Sequence, residues 1–108
     1  MASRQPSLLV DTNVWLDYFL PKRPGHAEAL SFVSFAREHN HPLLYPAAIV
    51  KDVFYLIANA LKRDVRNESG MLNEHDAATA TEIAWGCMRS MREQATAVGA
   101  DESDLWKA

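Results

Sequence analysis

The chain has 108 residues, 48% of them hydrophobic, which is enough for one buried core and too few for two ordinary domains, so a single domain over residues 1–108 is expected. Eleven Lys and Arg against 14 Asp and Glu leave a net charge of −3, which argues against a protein that coats itself on nucleic acid by overall charge and requires any such site to be local. The one cysteine, Cys87, rules out an internal disulfide and forms no zinc-finger spacing with the four histidines, as suits a reducing cytoplasm.

In chain order, Ser7 to Val10 is a short apolar run that breaks into Asp11-Thr12-Asn13, the pattern of a buried strand meeting a helix cap. A short helix over Asn13 to Leu20 is stopped by Pro21, and Lys22 to Gly25 reads as a basic loop. Ala29, Leu30, Val33 and Ala36 predict a second helix over Ala27 to Glu38. Pro42 to Tyr45 is a second brief strand, with Pro46 in the first turn of the next helix. Ile49, Val53, Leu56, Ile57 and Ala60 form one apolar stripe, predicting a helix to about Arg63, and Arg66 to Leu72 reads as a loop. Asn73, with Asp76 three residues on, caps a long last helix whose stripe is Ala80, Ala84, Cys87, Met88, Met91 and Ala95, with Gly99 as its stop. Asp101 to Ala108 is expected to add a helical turn or two. Alternating strands and helices imply an α/β domain with a short parallel sheet and a helix-rich second half. Two short strands make a poor sheet alone, so further strands are expected to be missing from the C-terminal part.

Neither end of this reading involves a membrane. Met1 to Pro6 is polar and only a short apolar run precedes Asp11, unlike a secretory signal, and no segment approaches the roughly 20 apolar residues of a membrane span.

Asp11 is the most informative position, because ligands of open α/β sheets bind where strands end and helices begin. A carboxylate there is placed to hold a metal, and is equally suited to capping the helix. Asp52 lies roughly 80° from the centre of its helix's apolar stripe, on the shoulder of the buried face, with Asn59 and Arg63 on the same shoulder. A boundary Asp paired with a neighbouring Lys or Arg is the simpler reading of Asp52. Carboxylates from separate elements suit phosphodiester hydrolysis, since Mg²⁺ takes oxygen ligands at about 2.0–2.1 Å while keeping several waters. The ion then activates water and offsets the charge on the phosphate. The histidines do not show the paired spacing of a zinc-protease helix and read as solvated, while Cys87, Trp85, Met88 and Met91 read as packing or interface. Gly25, Gly70, Gly86 and Gly99 form no nucleotide-binding fingerprint.

The run Leu8-Leu9-Val10-Asp11-Thr12-Asn13-Val14-Trp15-Leu16-Asp17 resembles the opening of PIN domains, in which an apolar strand delivers the first metal-binding Asp and Asn follows two places on. Pro24-Gly25-His26-Ala27-Glu28-Ala29-Leu30 and Leu43-Leu44-Tyr45-Pro46 are similar to the family's next segments, and Asp52 falls where its second acid stands. The resemblance covers residues 7 to about 63 well and the later helices more loosely. It implies a three-layer α/β/α fold and a metal-dependent endoribonuclease with Asp11 and Asp52 on Mg²⁺ or Mn²⁺. It also implies that Asn13, Asn59 and Arg63 meet the substrate RNA. Many PIN proteins are toxins, so an antitoxin protein partner, a cytoplasmic location and a homo-oligomer, most simply a dimer, are expected with it. The family's later acidic cluster has no match here; Asp101 and Asp104 resemble the segment before it, which makes the domain read as cut short. Two other readings stand beside this one. A catalytically inactive PIN-like module would bind a partner or RNA through its helices. A phosphatase or phosphotransferase would use Asp11 as nucleophile, although Asn13 occupies the place of that family's acid.

Overall fold

The protein is described by a computed structural model over residues 5–99. Strand β1 (Leu8–Leu9) leads into helix α1 (Thr12–Phe19), followed by α2 (His26–Glu38) and β2 (Leu43–Pro46). A single 3₁₀ turn (Ala47–Ile49) then opens α3 (Val50–Ser69), which is followed by α4 (Glu74–Gln94) and β3 (Thr96–Val98). The chain is therefore α/β and dominated by helix.

The strands form one parallel sheet in the order β1-β2-β3. Leu8 is in register with Leu43, and Leu44 with Thr96. Each parallel step needs a long crossover, and each crossover here is a pair of helices. The amides of Leu8 and Val10 donate to the carbonyls of Pro42 and Leu44 at 2.9 and 2.8 Å, which locks β1 beside β2. Helix α1 packs on α2 and α3, and α3 runs along α4. Val10, Trp15, Val33, Val53, Ile57, Ala84 and Met91 close the core between them. No helix among the described residues is long and apolar enough to cross a membrane.

Two helix ends differ from those read in the sequence, and one helix start: Pro46 closes β2 instead of entering the first helical turn, and a 3₁₀ turn precedes α3, which begins at Val50. Helix α3 does not stop near Arg63 but continues to Ser69, through the stretch read as a loop. Arg66, Asn67 and Glu68 are polar because that last stretch faces water, not because it leaves the helix. Lys22 reinforces it by reaching from the loop after α1 to Asp64 and Glu68, at 3.5 and 3.2 Å. These partners raise the Lys22 pKa. The true stop is Gly70, at φ 81°, whose amide donates back to the Arg66 carbonyl at 2.8 Å. A Cβ at Gly70 would meet no neighbouring atom, so the cost of placing one there is purely conformational. Gly70→Ala is accordingly expected to lower stability by about 1 kcal/mol, read as a lower urea midpoint with unchanged slope.

The second helix end to differ is that of α4, which stops at Gln94 instead of running to Gly99. Thr96–Val98 then forms β3 on the open edge of β2. The sheet thus has a third strand where the sequence reading continued the helix. The helical turns expected over 101–108 lie outside the described residues.

Candidate functional site

The carboxyl ends of β1 and β2 lie side by side, and each delivers an acidic residue near the start of the following helix. Asp11 comes two residues after β1. It is the N-cap of α1, with Oδ1 accepting from the Val14 amide at 3.1 Å, so the capping role is real. Its side chain forms no other hydrogen bond among the described residues, which leaves Oδ2 open. Asn13 is exposed in the first turn of the same helix. Asp52 sits in the first turn of α3, six residues past the end of β2, and is exposed.

The pairing of Asp52 with a neighbouring cation, the simpler reading of that residue, is not found among the described residues. The ion pairs there are Lys22 with Asp64 and Glu68, and Arg23 with Asp17. Two exposed carboxylates without a cation partner are the hard oxygen donors that Mg²⁺ or Mn²⁺ takes, and such ions commonly keep several waters. The donor chemistry of these two side chains therefore suits such an ion. No group of three His, Cys, Asp or Glu gathers for a metal among the described residues.

Asn59 and Arg63 are both exposed on α3. At a rise of about 1.5 Å per residue they stand roughly 10 and 16 Å along the helix from Asp52. Arg63 instead lines a cavity of about 640 Å³ between the end of α1 and the middle of α3, together with Leu20, Lys22, Arg23, Leu56 and Asp64. The sequence grouping of Asp52, Asn59 and Arg63 on one helix edge thus holds as a row, with its far end in a different cavity.

Asp17, in the last two turns of α1, has a structural task. Its carboxylate accepts from Arg23 Nε at 2.7 Å and its carbonyl accepts from the His26 ring at 2.8 Å. Both bonds close the loop that the sequence read as basic. A side chain at Gly25 would collide with this carboxylate, which accounts for the glycine. Met88 and Met91 are core, and Cys87 is half-buried with its thiol pKa raised by burial, as befits packing rather than a nucleophile. Trp85 differs from its neighbours on α4 and stands 53% exposed. Comparison of the chain with family models, curated proteins and solved structures finds no match.

Proposed function

We propose that the protein is a PIN-type, metal-dependent endoribonuclease in which Asp11 and Asp52 hold Mg²⁺ or Mn²⁺ and Asn13 orients a ligand or the substrate. The observation that supports this best is the juxtaposition of strand ends. Asp11 and Asp52 follow neighbouring parallel strands at the same edge of the sheet, each within the opening of a helix, and neither carboxylate pairs with a Lys or Arg among the described residues. That edge is where open α/β sheets take ligands. The opening motif through Asp17 supports the family, and with it the finer three-layer α/β/α arrangement.

A bound divalent ion supplies water activation and charge neutralisation on the phosphate. The chain supplies the rest. The Asp11 and Asp52 carboxylates anchor the cation, and the capping bond from the Val14 amide holds Asp11 Oδ1 and leaves Oδ2 for the ion. The proposal extends to an RNA substrate, a cytoplasmic toxin paired with an antitoxin protein, and a homodimer, on the family resemblance alone.

A second reading, an interaction module without catalysis, is favoured by a specific observation. Tyr55, Leu56, Ile83 and Trp85, on the packed pair of helices α3 and α4, stand 46–53% exposed, and large exposed apolar side chains are what a partner surface uses. The two separate in one assay. With Mg²⁺ or Mn²⁺ the nuclease cuts single-stranded RNA and EDTA abolishes the cut; an interaction module leaves RNA intact with either metal.

A further inference from the structure

The first turns of α3 and the middle of α4 build a shelf that the cation site does not use. The Phe54 and Trp85 rings lie 4.5 Å apart, tilted by 43°, and the Tyr55 ring stands edge-on to Phe54 at 5.3 Å. With Lys51 and Met88 these side chains line an open cavity of about 370 Å³. Phe54 is half-buried and Met88 buried, so the floor is held by the core, while Trp85 and Tyr55 stay half exposed above it. The Phe54 ring thus joins the two exposed rings to the core.

Two cations stand beside the shelf, with the carboxylates of Asp52 and Glu82 nearby in the same helices. Lys51 is exposed and lines the cavity. Arg89 lies one turn beyond Trp85, and its Nη2 is 3.7 Å from where a Cβ on Gly86 would stand, so the guanidinium folds back beside the turn that carries the tryptophan. Neither cation is in an ion pair among the described residues. Every nucleobase offers a π-face and every linkage a negative charge, and aromatic faces flanked by free cations are how proteins hold unpaired strands. A protein-binding hot spot would more often centre on the aromatic rings with Lys excluded, whereas here Lys51 is part of the lining.

We propose that this shelf binds single-stranded RNA, with a base stacked on Trp85 and Tyr55 and its phosphates held by Lys51 and Arg89. It rests on the nuclease reading in one respect: Lys51 of the shelf directly precedes Asp52, one of the two carboxylates proposed to anchor the cation. Recognition by stacking makes the shelf tolerant of sequence but selective for unpaired bases.

The test is the affinity of a ten-nucleotide oligoadenylate and of the same oligomer with abasic positions, measured in EDTA so that cleavage plays no part. Trp85→Ala is expected to weaken oligoadenylate binding about tenfold or more. Trp85→Phe should keep most of the affinity, and the abasic oligomer should bind wild type and Trp85→Ala alike. Lys51→Ala is expected to flatten the dependence of log affinity on log salt by about 0.7, the loss of one phosphate contact to a single strand. Circular dichroism of each variant confirms that the helices remain. Equal binding of oligoadenylate by wild type and Trp85→Ala overturns the proposal, as does a failure of wild type to bind. So does a dimer that Trp85→Ala dissociates without changing RNA affinity, which makes the shelf a protein interface. Failure of the nuclease reading looks different: Trp85-dependent binding persists in EDTA while no metal supports cleavage.

Discussion

Trp15→Ala is expected to lower the free energy of unfolding by about 3–5 kcal/mol, the range for removing a fully buried large aromatic side chain. Trp15 has no exposed surface. Its ring stacks on Phe19 at 5.9 Å and takes the edges of Tyr18 and Tyr45 at 6.2 and 6.3 Å. Phe19 and Tyr18 belong to α1 and Tyr45 to β2, so the ring joins the first helix to the central strand. A small domain has about 5–15 kcal/mol in total, so the alanine variant gives up a large share of it. Urea denaturation at fixed protein concentration reads the change; a loss below about 1.5 kcal/mol would show that the cluster does not organise the core.

The phenylalanine variant refines the argument, because the Trp15 indole Nε1 is buried with no hydrogen-bond partner. An unpaired buried donor costs about 1–3 kcal/mol. Trp15→Phe leaves a smaller void than alanine and also removes that donor. Its net cost is therefore expected to be under about 1.5 kcal/mol, well below what the lost ring area alone implies. The contrast between the two substitutions separates packing from polar satisfaction at one position.

The aromatic cluster also shows what local sequence patterns carry. The first strand, the capped α1 and the apolar stripe of α3 are all local signals; β1 and α1 start within a residue of their expected positions, and α3 starts three residues later than Ala47. The Asn73 cap is another, its Oδ1 accepting from the Asp76 amide at 2.8 Å. Thr96–Val98 carries no such signal. It is three residues long and exposed throughout, so neither a buried alternation nor an apolar run marks it, and only the open edge of β2 makes it a strand. The last turn of α3 was hidden for the opposite reason. Asn67, Ser69 and Gly70 have the composition of a loop, and the contacts from Lys22 that hold this turn come from 42 to 46 residues earlier, which no local window contains.

The site follows the same division. Asp11 was legible because strand, carboxylate and cap are adjacent in the chain, and Asp52 because its angle to the stripe follows from helical periodicity. That Arg63 belongs with Lys22 and Arg23 around another cavity depends on how α1 and α3 cross, and that is a tertiary fact. The shelf was hidden too. Trp85 falls among Ala84, Met88 and Met91, and in sequence it reads with them as packing or interface, with nothing to tell which.

Asp11→Asn is expected to reduce metal-dependent RNA cleavage by on the order of a hundredfold or more, while leaving metal-free stability almost unchanged. Disturbing even an outer-shell partner of a metal site costs about 10–100-fold, and a direct ligand costs at least as much. Asparagine caps a helix about as well as aspartate, so the bond now made by Asp11 to the Val14 amide survives in the variant. Asp11→Ala removes both roles at once. It should lose cleavage to the same degree and, in addition, about 1 kcal/mol of stability from the uncapped first turn of α1. The pair of variants therefore assigns the two functions of one carboxylate to two separate readouts, cleavage rate and urea midpoint. If Asp11→Asn cuts RNA as fast as wild type, the side chain is a cap and nothing more, and the nuclease reading loses the residue on which it most depends. If both variants lose cleavage and only alanine loses stability, the open oxygen of Asp11 is a metal ligand at the strand edge. The same carboxylate then builds the helix and anchors the cation, since the capping bond to Val14 holds Oδ1 and leaves the other oxygen for the ion.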